Sequence, residues 1–373
     1  MAGQVRAAVA PPFRAEHIGS LLRPEHLIAA RRRLGAGAIG PDELAAIEDE
    51  AILGAVRLQE AAGFAVVTDG EFRRPSYHGY FYSRLGDITI DAMPAVEARG
   101  SEGRGLQPAA RIGSRIAWRG PAHVDDFMRL KSMTRAMPKI TIPGPCALHF
   151  RGGDAAVTAS AYDDVDTFWS DIVDAFRREL AALAMAGCRY IQIDETAFAK
   201  FGDPQVRAAL AARGDDWDGL IDRYIDVTNR VTRGFPTLSI GMHLCRGNRG
   251  GRWHAEGSYD AVAERLFNQL DIGFFFLEYD SPRAGDFTPL RFVPEHKSIV
   301  LGLVTTKRSA LEDIDELCRR VTDASRFVAL DRLGVSPQCG FASVETGNPI
   351  TVEAQEAKLR LVVDLARLVW GTN

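Results

Sequence analysis

The sequence predicts an α/β fold, a (β/α)8 TIM barrel with a β-rich insertion after the second strand. Short apolar segments alternate with long amphipathic ones along nearly the whole chain, as they do in repeated βα units. We count eight apolar segments, which favours a closed parallel barrel over an open doubly wound sheet. Hydrophobic residues make up 46% of the 373 residues, which is enough for one large core.

The predicted strands are short apolar runs that end in polar or turn-forming residues. They lie at 17–20 (HIGS), 65–71 (AVVTDGE), 139–145 (KITIPGP), 190–195 (YIQIDE), 238–245 (LSIGMHLC), 274–279 (FFFLEY), 299–307 (IVLGLVTTK) and 333–340 (LGVSPQCG). Three helices between or after them have clear ends, at 41–63, 165–187 and 352–371. Each ends at a glycine, and the first begins with a proline in its first turn.

One segment, at about 84–137, is longer than a βα connection needs. It contains DITID and SRIAWRG, and we predict that it is the β-rich insertion. The sequence has no evident internal repeat, linker or low-complexity tract. We therefore predict a single catalytic domain over 1–373.

Composition excludes several classes of protein. A net charge of −4 and a pI near 6.1 give no basic surface for nucleic acid or anionic membrane. We find no apolar stretch suited to a signal peptide or a membrane span. Five scattered cysteines are typical of free thiols, metal ligands or catalytic groups rather than of a disulfide framework. We expect a cytoplasmic protein that acts on small molecules, with the oligomeric state, a homo-oligomer included, left open.

Polar side chains follow seven of the eight predicted strands. In a barrel of this kind the chemistry takes place at the carboxyl ends of the strands. These ends carry Ser20, Asp69, Glu71, Asp194, Glu195, His243, Cys245, Glu278, Asp280, Lys307 and Cys339. The pattern predicts a functional site at this end of the barrel.

Four of these residues are candidate metal ligands. His243 and Cys245 stand two residues apart on one strand, so their side chains share a face. With Glu278 and Cys339 they offer an imidazole, two thiolates and a carboxylate, a set suited to tetrahedral Zn²⁺. The alternative is that none of the four binds a metal. His243 is then a core histidine beside the small side chain of Cys245, Cys339 is a chance thiol, and Glu278 is a solvated or salt-bridged carboxylate. Spacing alone leaves both interpretations open.

Several segments together resemble the catalytic barrel of cobalamin-independent methionine synthase. They are FRAEHIGSLLRP, VTDGEFRR, IQIDE, MHLCRGN, FFFLEYD, SPQCGFAS and the closing KLRLVVDLARLVWG, and they extend from about Phe13 to Trp370. The resemblance is strongest to the short, single-barrel members. It implies a zinc-dependent methyltransferase that methylates a zinc-bound thiolate, in the first place that of homocysteine, to give methionine. The family's zinc ligands correspond to His243, Cys245, Glu278 and Cys339.

The resemblance also implies contacts to homocysteine. The backbone of Ile18, Gly19 and Ser20 would hold the carboxylate of the amino acid, because free N–H groups donate to anions. Glu71 and Asp194 would receive its ammonium group by charge-assisted hydrogen bonds. The alternative for both acids is an ion pair at the end of the barrel.

The part of the site that would bind the methyl donor departs from the family. Lys307 stands where the full-length synthases have a histidine that protonates the folate, and Lys200 where they have a glutamate that contacts the pterin. We also expect the separate N-terminal barrel of those enzymes to be missing. The donor is then a folate, a corrinoid protein or another methylated metabolite. We hypothesise that Lys307 replaces the histidine because the leaving group of the donor needs no proton.

Two other functions stay open. One is zinc-dependent alkyl transfer to another thiol, as in epoxide:coenzyme M transferase, and the other is a non-catalytic zinc-bearing scaffold. The His-Cys-Glu-Cys set argues against a third, metal-free relative, uroporphyrinogen decarboxylase. Arg246, Arg249 and Arg252 either meet an anionic donor or belong to a solvated loop, and the loop is favoured because loops are rich in polar residues.

Overall fold

The barrel wall is a curled parallel sheet. The computed structural model describes residues 11–90, 110–159 and 161–371. Its strands are β1 Val66–Val67, β2 Ile88–Thr89, β3 Arg111–Ile112, β4 Met137–Pro143, β5 Tyr190–Asp194, β6 Ser239–Leu244, β7 Phe274–Glu278, β8 Ser298–Val304 and β9 Leu333–Pro337. Within the described residues, seven strands pair in the order β1-β4-β5-β6-β7-β8-β9, and β2 and β3 form a separate antiparallel pair.

Residues 13–21 take the eighth place in the ring, between β9 and β1. Ala15 forms a parallel bridge to Val335 of β9. On the other side, the Thr68 hydroxyl, which follows β1, donates to the Gly19 carbonyl at 2.7 Å. The regular first strand predicted here is wrong, because Gly19 has a φ of 136° that breaks the extended backbone. The predicted (β/α)8 arrangement itself is confirmed.

Helices follow the strands and cover the outside of the sheet. They are α1 Glu25–Gly35, α2 Pro41–Ala62, α3 Gly79–Ser83, α4 Val124–Met133, α5 Ala147–Thr158, α6 Val165–Met185, α7 Ala197–Lys200, α8 Pro204–Arg213, α9 Trp217–Thr232, α10 Ala263–Gln269, α11 Ile314–Ala324 and α12 Val352–Trp370, with 3₁₀ turns at Pro282–Ala284, Thr288–Phe292 and Leu330–Arg332. The three predicted helices are α2, α6 and α12. Gly63 and Gly371 end the first and last of these in the left-handed conformation, as predicted.

The insertion is only partly β-structured. Its described part contains the short β2–β3 ladder, but SRIAWRG forms no strand. Residues 91–109 lie outside the described residues. The prediction missed α4, whose Phe127 and Leu130 are both buried and three residues apart, the spacing of one helix face.

Buried side chains fill the barrel below its carboxyl end. Lys139 donates from Nζ to Glu16 Oε2 at 3.1 Å and to Gln192 Oε1 at 3.0 Å, so this buried charge is paired. Phe274 and Phe276 pack nearby in the same interior cluster. Space for a ligand is therefore left at the carboxyl end. Among the described helices, none has the length and apolar character that crossing a membrane requires.

Candidate active site

A cavity opens at the carboxyl end of the barrel. Seven of the residues predicted from the sequence line it: Ile18, Ser20, Glu71, Asp194, His243, Cys245 and Cys339. They come from segment 13–21, from the loop after β1, from β5, from β6 and its end, and from the loop after β9. Parallel pairing brings these distant stretches together, because all the strands end on the same side.

His243, Cys245 and Cys339 form a compact group on the floor of this cavity. One ligand atom from each residue lies within 4.8 Å of the other two, and all three residues are buried. The two Sγ atoms are 3.9 Å apart. Both ring nitrogens of His243 are buried without a hydrogen-bond partner among the described residues. A buried imidazole is costly unless its polar atoms are compensated; Cys245 compensates it electrostatically, and a metal ion is the partner that a ring nitrogen beside two thiols suggests.

Electrostatics in this group favour a thiolate. The hydrogen bond from Cys339 and the neighbouring His243 lower the pKa of Cys245 well below its ordinary value, although burial opposes this. The same hydrogen bond, together with burial, raises the pKa of Cys339. Burial lowers the pKa of His243, but Cys245 outweighs it and the net pKa is raised. A cation placed here would meet a negatively charged sulfur without first having to remove its proton.

Glu278 ends β7 beside this group but stands apart from it. Its Oε2 accepts the Arg246 backbone N–H at 2.6 Å, and its Oε1 accepts a 2.6 Å hydrogen bond from Arg283. Burial opposes ionisation, but Lys307, Arg246 and Arg283 outweigh it and lower the pKa of Glu278 to about 2. The carboxylate is thus ionised and already partnered, and its role as a fourth ligand stays a prediction.

Lys307 is not among the residues that line the cavity. Its Nζ is 3.6 Å from Glu278 Oε1 and 3.8 Å from Asp280 Oδ2. The structure therefore places this ammonium as a counter-charge to two buried carboxylates. Its role as a proton donor stays a prediction.

Glu71 and Asp194 form an acidic side of the cavity. Glu71 Oε1 accepts the Thr141 hydroxyl at 2.8 Å, and its Oε2 is buried without a partner among the described residues. Burial first, and Glu71 in addition, raise the pKa of Asp194 to about 7, against the opposing effect of His243. Gln192 donates to Asp194 at 2.7 Å. Two carboxyl groups with spare acceptor capacity are suited to a cationic group of a ligand.

The backbone at residues 18–20 presents donors rather than acceptors. The Ile18 carbonyl accepts from Gln192 at 2.6 Å, and the Gly19 carbonyl accepts from Thr68. In the described residues, no acceptor binds the N–H groups of Ile18, Gly19 or Ser20. Free N–H groups at the edge of a cavity are suited to an anion such as a carboxylate.

The sequence revealed only part of another group of residues that line the cavity, through Lys200 and Arg249. Tyr77, His78, Arg151 and His254 line it, along with Lys200 and Arg249. Their signal was weak, because each stands alone in a loop or a short helix after a strand. The loop interpretation of Arg246 is wrong: this residue is buried, and its guanidinium donates to the carbonyls of Gly257, Glu278 and Ala284.

These features define a class of protein: a barrel enzyme whose carboxyl end holds a buried histidine and two cysteines able to bind a metal ion. Comparison with known proteins agrees. The model of the cobalamin-independent synthase catalytic domain matches residues 13–368. The uncharacterised protein YxjH of Bacillus subtilis (strain 168) is 40% identical over 96% of this chain and 95% of its own length, and YxjG of the same strain is also 40% identical.

Named enzymes and solved structures are similar as well. The 5-methyltetrahydropteroyltriglutamate–homocysteine methyltransferase of Bacillus licheniformis is 25% identical over 95% of this chain, which spans 42% of that enzyme. A Listeria monocytogenes structure described as a candidate vitamin-B12 independent methionine synthase has a TM-score of 0.74 and 32% identity, covering 96% of this chain and 98% of that one. A B12-independent methionine synthase from Shewanella sp. W3-18-1 has the same fold, with a TM-score of 0.71 at 20% identity over 95% of this chain and 97% of that one.

The chain belongs to the cobalamin-independent methionine synthase family, in its short form. It is a methyltransferase of the homocysteine methyltransferase kind. The resemblance predicted from the sequence motifs is confirmed. The metal, the methyl acceptor and the donor are questions for the site itself.

Proposed function

We propose that the protein transfers a methyl group to the thiol of homocysteine, giving methionine, with Zn²⁺ bound by His243, Cys245, Cys339 and Glu278. One observation carries the proposal: a nitrogen and two sulfur ligand atoms, all buried, lie within 4.8 Å of one another on the floor of the cavity. This donor set is the one that zinc prefers in proteins, and its unpartnered imidazole fits a metal ligand.

The reaction needs a thiolate. When bound here, Zn²⁺ would lower the pKa of a thiol ligand, which for a free alkyl thiol is about 8.5. The acceptor thiol gives up its proton, and its sulfur forms a bond to the methyl carbon of the donor. The bond between that carbon and the donor breaks at the same time, and the electron pair leaves with the donor.

The chain's own residues orient the acceptor. Glu71 and Asp194 would receive the ammonium group, since both residues line the cavity and Glu71 Oε2 has no hydrogen-bond partner among the described residues. The N–H groups of Ile18, Gly19 and Ser20 would hold the carboxylate, leaving the thiol end for the metal. Holding the nucleophile in one orientation replaces part of the entropy cost of the reaction. Burial of these groups keeps water from competing for them.

X-ray absorption at the zinc edge tests the proposal without a methyl donor. The zinc-loaded protein should show two sulfur ligands per zinc ion from Cys245 and Cys339. Homocysteine should raise the number to three, and homoserine, which lacks the thiol, should leave it at two. An unchanged sulfur count at saturating homocysteine would rule out direct binding of the acceptor sulfur.

A further inference from the structure

Three cationic side chains form one side of the cavity, and we call Arg151, Lys200 and Arg249 the basic wall. They come from three successive connections, after β4, β5 and β6. Arg151 and Lys200 are 7% and 4% exposed, so their charges are largely removed from water. Burying two like charges side by side is unfavourable unless something compensates them.

Arg151 shows most clearly that the buried cations lack hydrogen-bond partners. Its Nη2 donates to His78 Nε2 at 3.0 Å. Its Nη1 is buried without a hydrogen-bond partner among the described residues. An arginine carries five N–H donors, and leaving the two on Nη1 buried and unused is unfavourable. A planar guanidinium with a free edge is suited to carboxylate or phosphate oxygens.

In the described part of the chain no carboxylate forms an ion pair with the basic wall; Cys245 and Glu195 act on Lys200 only from a greater distance, and burial and Arg151 outweigh them. Within the described residues, none of its three cations has a carboxylate oxygen within 4.0 Å. Lys200 packs instead on the ring of Phe150, with its Nζ 5.2 Å from the centroid. Burial and the neighbouring cations hold the pKa of His254 at about 3 and that of His78 well below 6.5, so both imidazoles are neutral. The two neutral imidazoles add no positive charge of their own, but they do not compensate the charge of the basic wall.

Arg249 is fixed at the mouth of the cavity by a tight turn. Its backbone N–H donates to the Arg252 carbonyl at 3.0 Å, and the Arg252 N–H returns a bond at 3.1 Å. Gly250 and Gly251 between them have φ values of 57° and 76°, as a two-residue turn of this kind requires. The Gly251 N–H is anchored in turn by Asn348 Oδ1 at 2.9 Å. The backbone that carries the third cation is thus held in place by a hydrogen-bonded turn.

We propose that the basic wall binds an anionic group, carboxylate or phosphate, of the methyl donor. This inference rests on the proposed function, which assigns the acceptor's ammonium to Glu71 and Asp194 and its carboxylate to residues 18–20. Those contacts leave no anionic group of homocysteine for the basic wall. A second ligand that shares the cavity with the acceptor must therefore supply the anion. A donor without a negative charge would leave the buried positive charge of the basic wall uncompensated.

Calorimetric titration of the zinc-loaded protein tests this with two probes, inorganic phosphate and succinate. We expect at least one of them to bind, with the same affinity in the presence and absence of saturating homocysteine. Lys200→Met should weaken that binding at least about tenfold while leaving the affinity for homocysteine unchanged. Whether phosphate or succinate binds more tightly distinguishes a phosphorylated donor from one with carboxylates, such as a folate.

The pH dependence and the control variants sharpen the test. Burial first, and Arg151 in addition, lower the pKa of Lys200 to about 8, against the opposing effects of Cys245 and Glu195. Probe affinity should therefore fall between pH 7 and pH 9 in the wild type, and this fall should shrink in Lys200→Met. Arg151→Lys should retain more affinity than Arg151→Met, and exposed Lys131→Met should match the wild type.

Three outcomes would overturn the inference. The first is that neither probe shows measurable binding. The second is that the probe binds equally to the wild type and to Lys200→Met. The third is that homocysteine displaces the probe and itself binds more weakly to the variant. The last result would mean that the basic wall holds the acceptor's carboxylate. The zinc-edge sulfur count is measured separately, so loss of the proposed function would show there and not in the probe titration.

Discussion

Asp194 is a residue at which function and stability oppose each other. Its pKa is raised to about 7 by burial first and by Glu71 in addition, whereas an exposed aspartate ionises near 3.8. In the ligand-free protein the ionised form is therefore held against its preference. An ammonium group arriving beside it would favour ionisation and offset that cost.

Asp194→Asn should stabilise the ligand-free protein above neutral pH. The pKa of Asp194 is higher in the folded protein than in the unfolded chain. The contribution of Asp194 to the free energy of unfolding is therefore fully present below about pH 4 and is lost as the pH rises to about 7. A shift of about three pKa units corresponds to up to about 4 kcal/mol. Urea unfolding at pH 3 and pH 8 should show a small gap between variant and wild type at the lower pH and a large one at the higher.

The same variant should lose most of its affinity for homocysteine, since a neutral amide attracts an ammonium group less than a carboxylate does. The exposed Asp163→Asn should change neither quantity. An Asp194→Asn variant that binds homocysteine as tightly as the wild type would exclude the residue from the acceptor site.

Cys339 separates a metal site from a chance pair of thiols. Cys339→Ala should weaken zinc binding by at least about 100-fold, because it removes a ligand and not merely a supporting contact. Equilibrium competition with a chromogenic chelator measures this. Cys188, also buried and free but remote from the group, supplies the matched control: Cys188→Ala should bind zinc as the wild type does. Equal affinities in the two variants would contradict the assignment.

At the scale of elements, segment 13–21 links the closure of the barrel to the acceptor site. A Cβ at Gly19 would lie 2.7 Å from Thr141 Cγ2 and 3.0 Å from Glu71 Oε1, and the φ of 136° disfavours any side chain. Gly37 also has a positive φ, 70°, but its Cβ would meet nothing within 4 Å. The pair therefore separates backbone strain from a clash inside the site.

Gly19→Ala should cost about 3 kcal/mol of unfolding free energy, from strain and overpacking together. Gly37→Ala should cost about 1 kcal/mol, from strain alone. Because the added methyl group pushes on Glu71, only the first should weaken homocysteine binding. Chemical denaturation and calorimetric titration measure the two effects. Equal losses in both variants, or intact homocysteine binding in Gly19→Ala, would show that this segment does not shape the acceptor site.

Elements with strong local signals could be predicted, and those determined by partners could not. The ends of α2 and α12 follow from Pro41, Gly63 and Gly371, which act locally. The irregularity of the first strand could not be predicted in this way. HIGS has the composition of a strand, and its few hydrogen bonds to β9 and β1 become visible only in the folded barrel. The insertion misled for a similar reason: two-residue strands carry almost no periodic signal.

At the scale of the molecule, the carboxyl-end rule found most of the site and missed part of it. It brought His243, Cys245 and Cys339 together because each follows or ends a buried strand. It did not show that Glu278 is paired with Arg283, in the turn directly after β7, and with Lys307 after β8, since neither ion pair leaves a mark on residue spacing. Arg151 was missed because its burial, its unpartnered Nη1 and its place beside Lys200 depend on the folded structure and not on local sequence.

The central claim is that the buried His-Cys-Cys group holds zinc and delivers a homocysteine thiolate, and the most direct test counts protons. Homocysteine is added to the zinc-loaded protein in weak buffer, with the zinc-free protein and homoserine as controls. We predict that homocysteine releases about one proton more per bound molecule from the zinc-loaded protein than is released in either control, because the thiol must deprotonate to bind the metal, whereas ionisation of Asp194 beside the ammonium group is common to all three. Release with coenzyme M but not with homocysteine would keep the metal chemistry and change the acceptor. No release with any thiol would contradict the claim and leave a zinc-bearing barrel without thiol chemistry.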